Sequence, residues 1–242
     1  MKNYALILAG GVGSRVGVGV PKQFVEILGK PVLAYTIEAY QNHPMIDGIE
    51  VVCVSSYMQT LRELCKKLGY TKVRWICEGG ADFQHSVMNG VANLKRNING
   101  DDIVMIHYGA APFTSARILT DAIRVARKRG SAVSMTPCYQ LMGTNDDGSC
   151  STKWVDRDKY AQIACPQAFK FAYLLDVYKR AKNAGLIGKI EPHTTSLMYA
   201  LGDRLWFSYG DQTNIKITTK EDLEMFEGWA LLHYNCQNKG SI

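Results

Sequence analysis

The sequence predicts an α/β fold in which a mostly parallel sheet is flanked by helices and carries a projecting β-arm. Three observations predict it. Short apolar runs alternate with segments of helical period as far as Thr136, the rhythm of βαβ units. A glycine-rich turn follows the first apolar run directly. The 242-residue chain is 47% hydrophobic and 21% charged, enough apolar material for a substantial core, which excludes disordered, collagen-like and disulfide-stapled classes.

Tyr4 to Leu8 (YALIL) reads as a buried strand. Pro31 to Tyr40 opens on proline and keeps apolar residues at helical spacing, so it reads as a helix. Glu50 to Val54 is the next strand, Met58 to Leu68 a helix, Val73 to Cys77 a strand and Phe83 to Leu94 a helix. Asp102 to His107 is a strand with its polar end at the C-terminus; Ser115 to Lys128 is a helix and Ala132 to Thr136 a strand. The rhythm then breaks. From Pro137 to Cys165 no long helical pattern occurs, Gly143 to Gly148 is dense in turn formers, and β-prone pieces such as Ser151 to Val155 lie beside it. This stretch predicts a hairpin arm available for contact with a second subunit. Helices follow at Phe169 to Ala184, Thr195 to Leu201 and Lys220 to Tyr234, with a strand at Leu205 to Ser208. Without repeats or a linker, residues 1–242 read as one domain bearing the arm at 137–165.

Charge and cysteine usage narrow the function classes. Lys and Arg number 28 against 22 Asp and Glu, a net charge of +6, with the densest clusters at Lys66-Lys67 and Arg124 to Arg129. That excess points to a small polyanionic ligand rather than a nucleic acid, with solvated helix faces as the plainer reading. Seven cysteines is an odd number, and no two form a C-x-x-C pair. They read as reduced and mainly structural in a cytoplasmic protein, not as a zinc site. The opening apolar run breaks at Gly10, too early for a signal peptide, and no stretch reaches membrane-spanning length.

The first strand runs into Leu8-Ala-Gly-Gly-Val-Gly-Ser-Arg15 and then Pro21-Lys-Gln-Phe24. Glycines there let backbone N–H groups approach phosphate oxygens without a Cβ in the way. The spacing fits neither G-x-x-x-x-G-K-[ST] nor G-x-G-x-x-G, since Val16 follows Gly11 and Gly13. Two cations, Arg15 and Lys22, beside such a cradle suit a triphosphate whose charge grows during transfer. A flexible loop with two solvated cations is the competing reading.

With LAGGVGSRVG, PKQF, GKPVL, EGGADFQHSVMNGV, the strand ending at His107, CPQAF and NIKITTKEDL, the chain resembles the cytidylyltransferases that make CDP-linked polyols over nearly its whole length. These include the 2-C-methyl-D-erythritol 4-phosphate and ribitol-5-phosphate cytidylyltransferases, and EGG…MNG with NIKITT leans toward the ribitol branch. The resemblance implies a Rossmann-like fold whose β-arm pairs two subunits, and CTP lying over the strand C-termini. It implies backbone contacts to the nucleotide from Ala9, Gly10, Gly11 and Gly13. Arg15 and Lys22 would sit on the triphosphate, and Lys216 near the acceptor and α-phosphates. Gly80 and Ser86 would read the cytosine edge; Ser86 has an equal second reading as a polar residue at a helix N-terminus. Arg157 on the arm would reach the acceptor phosphate in the partner subunit. The implied reaction is in-line attack of an acceptor phosphate on the α-phosphorus of CTP, releasing pyrophosphate.

The chain departs from the family pattern at specific positions. Tyr108 stands where a magnesium-associated aspartate belongs, Ala111 where an arginine belongs, and Phe83 replaces a further arginine. Cys165 takes a threonine position, Pro192-His193 falls where Thr-Asp is usual, and Tyr139-Gln140 lies near the place of an Asp-Thr pair. Neutral and aromatic groups thus replace acids and bases around the acceptor and metal, and a neutral tyrosine is a poor ligand for Mg²⁺. Either the enzyme uses another acceptor, with Mg²⁺ held mainly by the CTP phosphates and its protein ligands unknown, or the chain binds nucleotide without turnover. Retention of Arg15, Lys22, Arg157 and Lys216 favours an active enzyme with altered acceptor specificity. A sugar-1-phosphate nucleotidyltransferase using another nucleotide is a third reading. Asp82 reads as a surface-turn residue and Cys165 as packing. His107 and His193 are each open between an acceptor contact and a structural role.

Overall fold

The computed structural model describes residues 1–11 and 19–234. In chain order it contains β1 (Asn3–Ala9), the short β2 (Glu26–Ile27) and β3 (Lys30–Pro31), α1 (Val32–Gln41), β4 (Gly48–Cys53), α2 (Met58–Lys67) and β5 (Val73–Glu78). Then come α3 (Phe83–Leu94), β6 (Ile103–Tyr108), α4 (Ala116–Arg129) and β7 (Ser131–Pro137). The remainder is β8 (Ala161–Lys170), α5 (Phe171–Asn183), α6 (Thr194–Ala200), β9 (Phe207–Tyr209) and α7 (Lys220–Tyr234).

Seven strands form the main sheet in the order β5-β4-β1-β6-β8-β7-β9. β8 alone runs against its neighbours β6 and β7; the other pairings are parallel. Alternate residues of β1 enter opposite clusters: Ala5, Ile7 and Ala9 pack with Leu33, Ile37, Leu61, Leu119 and Ile123 of α1, α2 and α4. Leu6 and Leu8 pack with Val87, Leu174, Val177 and Leu197 of α3, α5 and α6. A strand covered on both faces needs no polar side, so its sequence is one apolar run. A third cluster, Ile27, Val32, Tyr35, Phe113, Ile217 and Phe226, fastens α7 beside α1.

Helix ends follow local chemistry. The Asp82 carboxylate accepts from the His85 N–H at 2.8 Å and caps α3. α4 ends on Arg127, Lys128 and Arg129 before Gly130, whose φ of 90° a side chain would strain. The cluster Arg124 to Arg129 therefore belongs to an amphipathic helix.

The segment after β7 differs from expectation. Pro137 pairs with Ala161, so the excursion is residues 138–160, and β8 is a ten-residue strand inside the sheet. Its proline sits where the β7–β8 register shifts, between Val133–Gln167 and Ser134–Ala164, so the missing N–H of Pro166 breaks no ladder bond. The Cys165–Pro166 peptide is cis. Helix α5 accordingly starts at Phe171 rather than Phe169. Within the excursion, the described strand pairing is a single bridge between Gly143 and Trp154, so the predicted hairpin is mostly loop. Leu141 and Trp154 there are 93% and 80% exposed. Among the described residues no helix is long and apolar enough to cross a membrane.

Candidate functional site

A cavity of about 660 Å³ opens over the C-terminal ends of β1, β4, β5 and β6, where open α/β sheets place their ligands. Gly10 and Gly11 line it after β1, Val54 and Ser55 after β4, Gly79 to Phe83 after β5, and Tyr108 to Ala110 at β6. Lys22, Gln23, Glu78, Ser86, His193 and Lys216 also stand in its walls. Arg15 and Gly13, both expected to hold phosphate, lie outside the described residues.

Gln23 organises what is described of the phosphate turn. Its side-chain amide is buried and donates to the carbonyls of Ala9 (2.8 Å) and Gly11 (2.7 Å), bracketing Gly10. Its adjacency to Lys22 in Pro-Lys-Gln was the available signal, although that motif by itself assigns the amide no task. Ala9 is buried behind the turn rather than on the cavity wall, which leaves it backbone contacts only. A Cβ on Gly10 would sit 3.2 Å from Ser86 Oγ and 3.6 Å from the Gly79 Cα, so the turns after β1 and β5 meet through glycine.

Ser86 is buried one turn into α3 and accepts from the Gly80 N–H at 3.0 Å. The cap of α3 is Asp82, so the N-terminal reading of Ser86 gives way to a role closing the Gly79–Gly80 turn against the helix. A Cβ on Gly80 would lie 2.4 Å from that of His85, an approach no side chain tolerates.

The two described cations converge. Lys22 Nζ donates to the Ile217 carbonyl at 2.6 Å, and the Ile217 N–H donates to Ala110 at 2.8 Å. Lys216, the preceding residue, holds its ammonium 4.6 Å from the centre of the Tyr108 ring. Lys22 and Lys216 thus flank the same wall from positions 194 apart in sequence.

A group of rings also lines the cavity. Phe83 lies 5.5 Å from Tyr108 and 5.0 Å from His193, and Tyr108 lies 5.8 Å from His193, centre to centre. The Tyr108 hydroxyl is 3.3 Å from His193 Nδ1, and His193 Nε2 is 3.5 Å from Glu191. Burial raises the Tyr108 phenol above its ordinary range. Burial, helped by Lys216 and opposed by Glu191, lowers His193. Both are neutral near pH 7. Three separate departures from the family pattern therefore form one contiguous wall.

Other expected residues lie apart from the cavity. Ala111 is buried beneath it, 1% exposed, and its N–H donates to the Tyr108 carbonyl, so its side chain meets no ligand in the cavity. Arg157 is exposed on the excursion and donates to the Tyr139 carbonyl. His107 resolves as structural: it is fully buried, edge-on to Tyr40, 2.8 Å from Thr114 Oγ1, and lowered by burial to about 4. Thr114 donates to Asn214, which donates to the Cys165 carbonyl at 2.6 Å, tying three distant segments below the site. Cys165 is buried, and burial pushes its thiol up to about 12, so it is packing. Among the described residues no three His, Cys, Asp or Glu side chains gather around a metal position.

Comparison with known proteins bears on this geometry. Residues 4–230 match the family model described as IspD, 2-C-methyl-D-erythritol 4-phosphate cytidylyltransferase. The chain is 36% identical over 227 residues to a ribitol-5-phosphate cytidylyltransferase of Lacticaseibacillus paracasei, covering 93% of this chain and 96% of that one. It is 35% identical over 222 residues to a 2-C-methyl-D-erythritol 4-phosphate cytidylyltransferase of Clostridium acetobutylicum, covering 91% and 94%. Among solved structures, a 4-diphosphocytidyl-2C-methyl-D-erythritol synthase superposes with a TM-score of 0.76 at 25% identity, covering 93% and 97%. The synthase of Anaerococcus prevotii superposes equally well, 0.76 at 21% identity over 94% and 97%, which supports the fold.

Proposed function

Because this chain belongs to the 2-C-methyl-D-erythritol 4-phosphate cytidylyltransferase family, we propose that ribitol 5-phosphate is the polyol phosphate it converts. It is a nucleotidyltransferase that passes a cytidylyl group from CTP to a polyol phosphate. The observation that carries the acceptor reading is the wall of Phe83, Tyr108 and His193, which offers rings and a hydroxyl where the family pattern has charge. A pentitol chain presents C–H edges and hydroxyls to such a wall. The relative from Lacticaseibacillus paracasei, a ribitol-5-phosphate cytidylyltransferase, supports the same choice.

In this reading CTP lies with its triphosphate at Gly10, Gly11, Arg15 and Lys22 and its base toward Gly80 and Ser86. An oxygen of the acceptor phosphate attacks the α-phosphorus in line. The bond from α-phosphorus to the bridging oxygen breaks, and its electron pair leaves on pyrophosphate. A phosphate monoester is already largely ionised at neutral pH, so the attacking oxygen needs no general base. Positioning and charge neutralisation then account for catalysis. Lys22, held by the Ile217 carbonyl, and Lys216, held over the Tyr108 ring, would supply positive charge to the transferred phosphoryl group. Of the two carboxylates that line the cavity, Asp82 caps α3, so Glu78 would be the residue to assist a Mg²⁺ held mainly by the CTP phosphates, an ion that would supply neutralising charge there. We further assign the excursion at 138–160 to subunit pairing, with Arg157 of one arm serving the acceptor phosphate of the other subunit. CTP supply places the work in the cytoplasm.

Pyrophosphate release with CTP and Mg²⁺ tests this reading across ribitol 5-phosphate, 2-C-methyl-D-erythritol 4-phosphate and other polyol phosphates. The highest kcat/KM is expected with ribitol 5-phosphate, and a higher value with the methylerythritol phosphate overturns the assignment. In the same assay Lys22→Met is expected to lower kcat by about two to three powers of ten, the loss seen when a preorganised donor is removed.

A further inference from the structure

The three rings do more than fill space, because their polar atoms are ordered. Glu191 lies 3.5 Å from His193 Nε2, and the tautomer that carries the single proton of a neutral imidazole on Nε2 is the one this carboxylate favours. In that tautomer Nδ1 is the acceptor for the Tyr108 hydroxyl, 3.3 Å away. With its proton directed to His193, the oxygen of Tyr108, a residue of the cavity wall, keeps its lone pairs for accepting. The ring beneath it is held by Phe83 on one side and lies under the Lys216 ammonium, so the oxygen has a fixed address. Lowering of His193 by burial keeps this order of donors in place near neutral pH.

We propose that Tyr108 is a specificity-determining residue of the acceptor site, its oxygen accepting a hydrogen bond from a hydroxyl on the uncharged chain of the acceptor. His193 and Glu191 act as positioning residues that orient the Tyr108 proton away from the cavity. Phe83 supplies the apolar face against which the C–H edge of that chain rests. The class selected is a phosphorylated, hydroxyl-bearing, otherwise uncharged chain. An acceptor lacking that hydroxyl leaves the Tyr108 oxygen desolvated without a donor, which is how a polar site rejects a deoxy analogue. This rests on the polyol-phosphate reading above and adds the residue that discriminates within that class.

The test pairs variants with acceptors. Binding of ribitol 5-phosphate and of its singly deoxygenated analogues to the CTP-loaded protein is measured by calorimetry, alongside acceptor and CTP KM values. Tyr108→Phe keeps the ring and the seat of Lys216 but removes the oxygen. It is expected to raise the acceptor Kd and KM by about tenfold, the size of one neutral hydrogen bond, while the CTP KM stays as in the parent. One deoxy analogue is expected to bind the parent as weakly as it binds Tyr108→Phe, which identifies the hydroxyl that is read. Glu191→Gln is expected to give a smaller loss in the same acceptor parameters. An equal loss against every analogue, an unchanged acceptor KM in Tyr108→Phe, or a loss that falls on CTP overturns the inference while leaving polyol transfer intact. Failure of any polyol phosphate to bind the CTP-loaded parent overturns both.

Discussion

Glu50 lies in the middle of β4, fully buried, with Asn93 of α3 donating to its carboxylate at 2.8 Å and the Cys77 thiol beside it. Burial pushes this carboxyl from its ordinary 4.5 up to about 7, because a charge away from water is costly and one amide offsets only part of that cost. Between those two values the folded protein holds a proton that the unfolded chain has released. Stability contributed by this residue therefore falls as pH rises through the window and levels off above about 7. Glu50→Gln keeps the bond from Asn93 and removes the titration. Denaturant melts of both proteins at pH 5 and pH 8 check this: the variant is expected to gain on the order of 1–3 kcal/mol at pH 8 and little at pH 5. An equal difference at both pH values would contradict it. Functional side chains follow the same logic, since the burial that lowers His193 and raises the Tyr108 phenol keeps both uncharged and suited to a hydroxyl rather than a charge.

Between elements, the cavity depends on latches that no strand or helix supplies alone. Asn214 precedes Lys216 by two residues and reaches the Cys165 carbonyl of β8, while Thr114 from the β6–α4 connection donates to its side-chain oxygen. Asn214→Ala leaves the buried Cys165 carbonyl without its partner, a cost of about 1–3 kcal/mol, while Thr114 keeps its contact with His107. Its denaturant midpoint is expected to drop accordingly, with kcat falling alongside because Lys216 loses its anchored loop; a variant of parental stability would count against the latch. Legibility in the sequence divides along the same line. β1, β4 and β6 were readable as apolar runs because helices cover both faces of the sheet there. α3 and α7 matched their expected bounds, Phe83–Leu94 and Lys220–Tyr234. β8 was not readable: its Ala-Gln-Ile-Ala-Cys-Pro-Gln run has neither a clean period of two nor an unbroken apolar core. It is a strand because β6 and β7 offer ladders on both sides and the register shift accommodates Pro166.

At the scale of the whole molecule, the excursion at 138–160 exposes Tyr139, Leu141, Trp154 and Tyr160 together. Exposed apolar side chains concentrated on one projecting segment are the mark of a surface that meets a partner, in keeping with the proposed pairing of two subunits. Sedimentation of Leu141→Ser/Trp154→Ser is expected to shift the protein from dimer to monomer and to weaken acceptor use, since Arg157 would no longer be delivered across the interface. A parent that sediments as a monomer would refute this assignment. The sequence by itself determined the α/β architecture, the glycine turn and the cations that follow it, because hydrophobic period and glycine spacing are local properties of a chain. Only the tertiary structure decided that Phe83, Tyr108 and His193, spread over 110 residues, form a single neutral wall beside Lys216. Which side chains share a cavity is set by sheet order and by the loops at its carboxyl edge, and no spacing along the chain encodes that proximity.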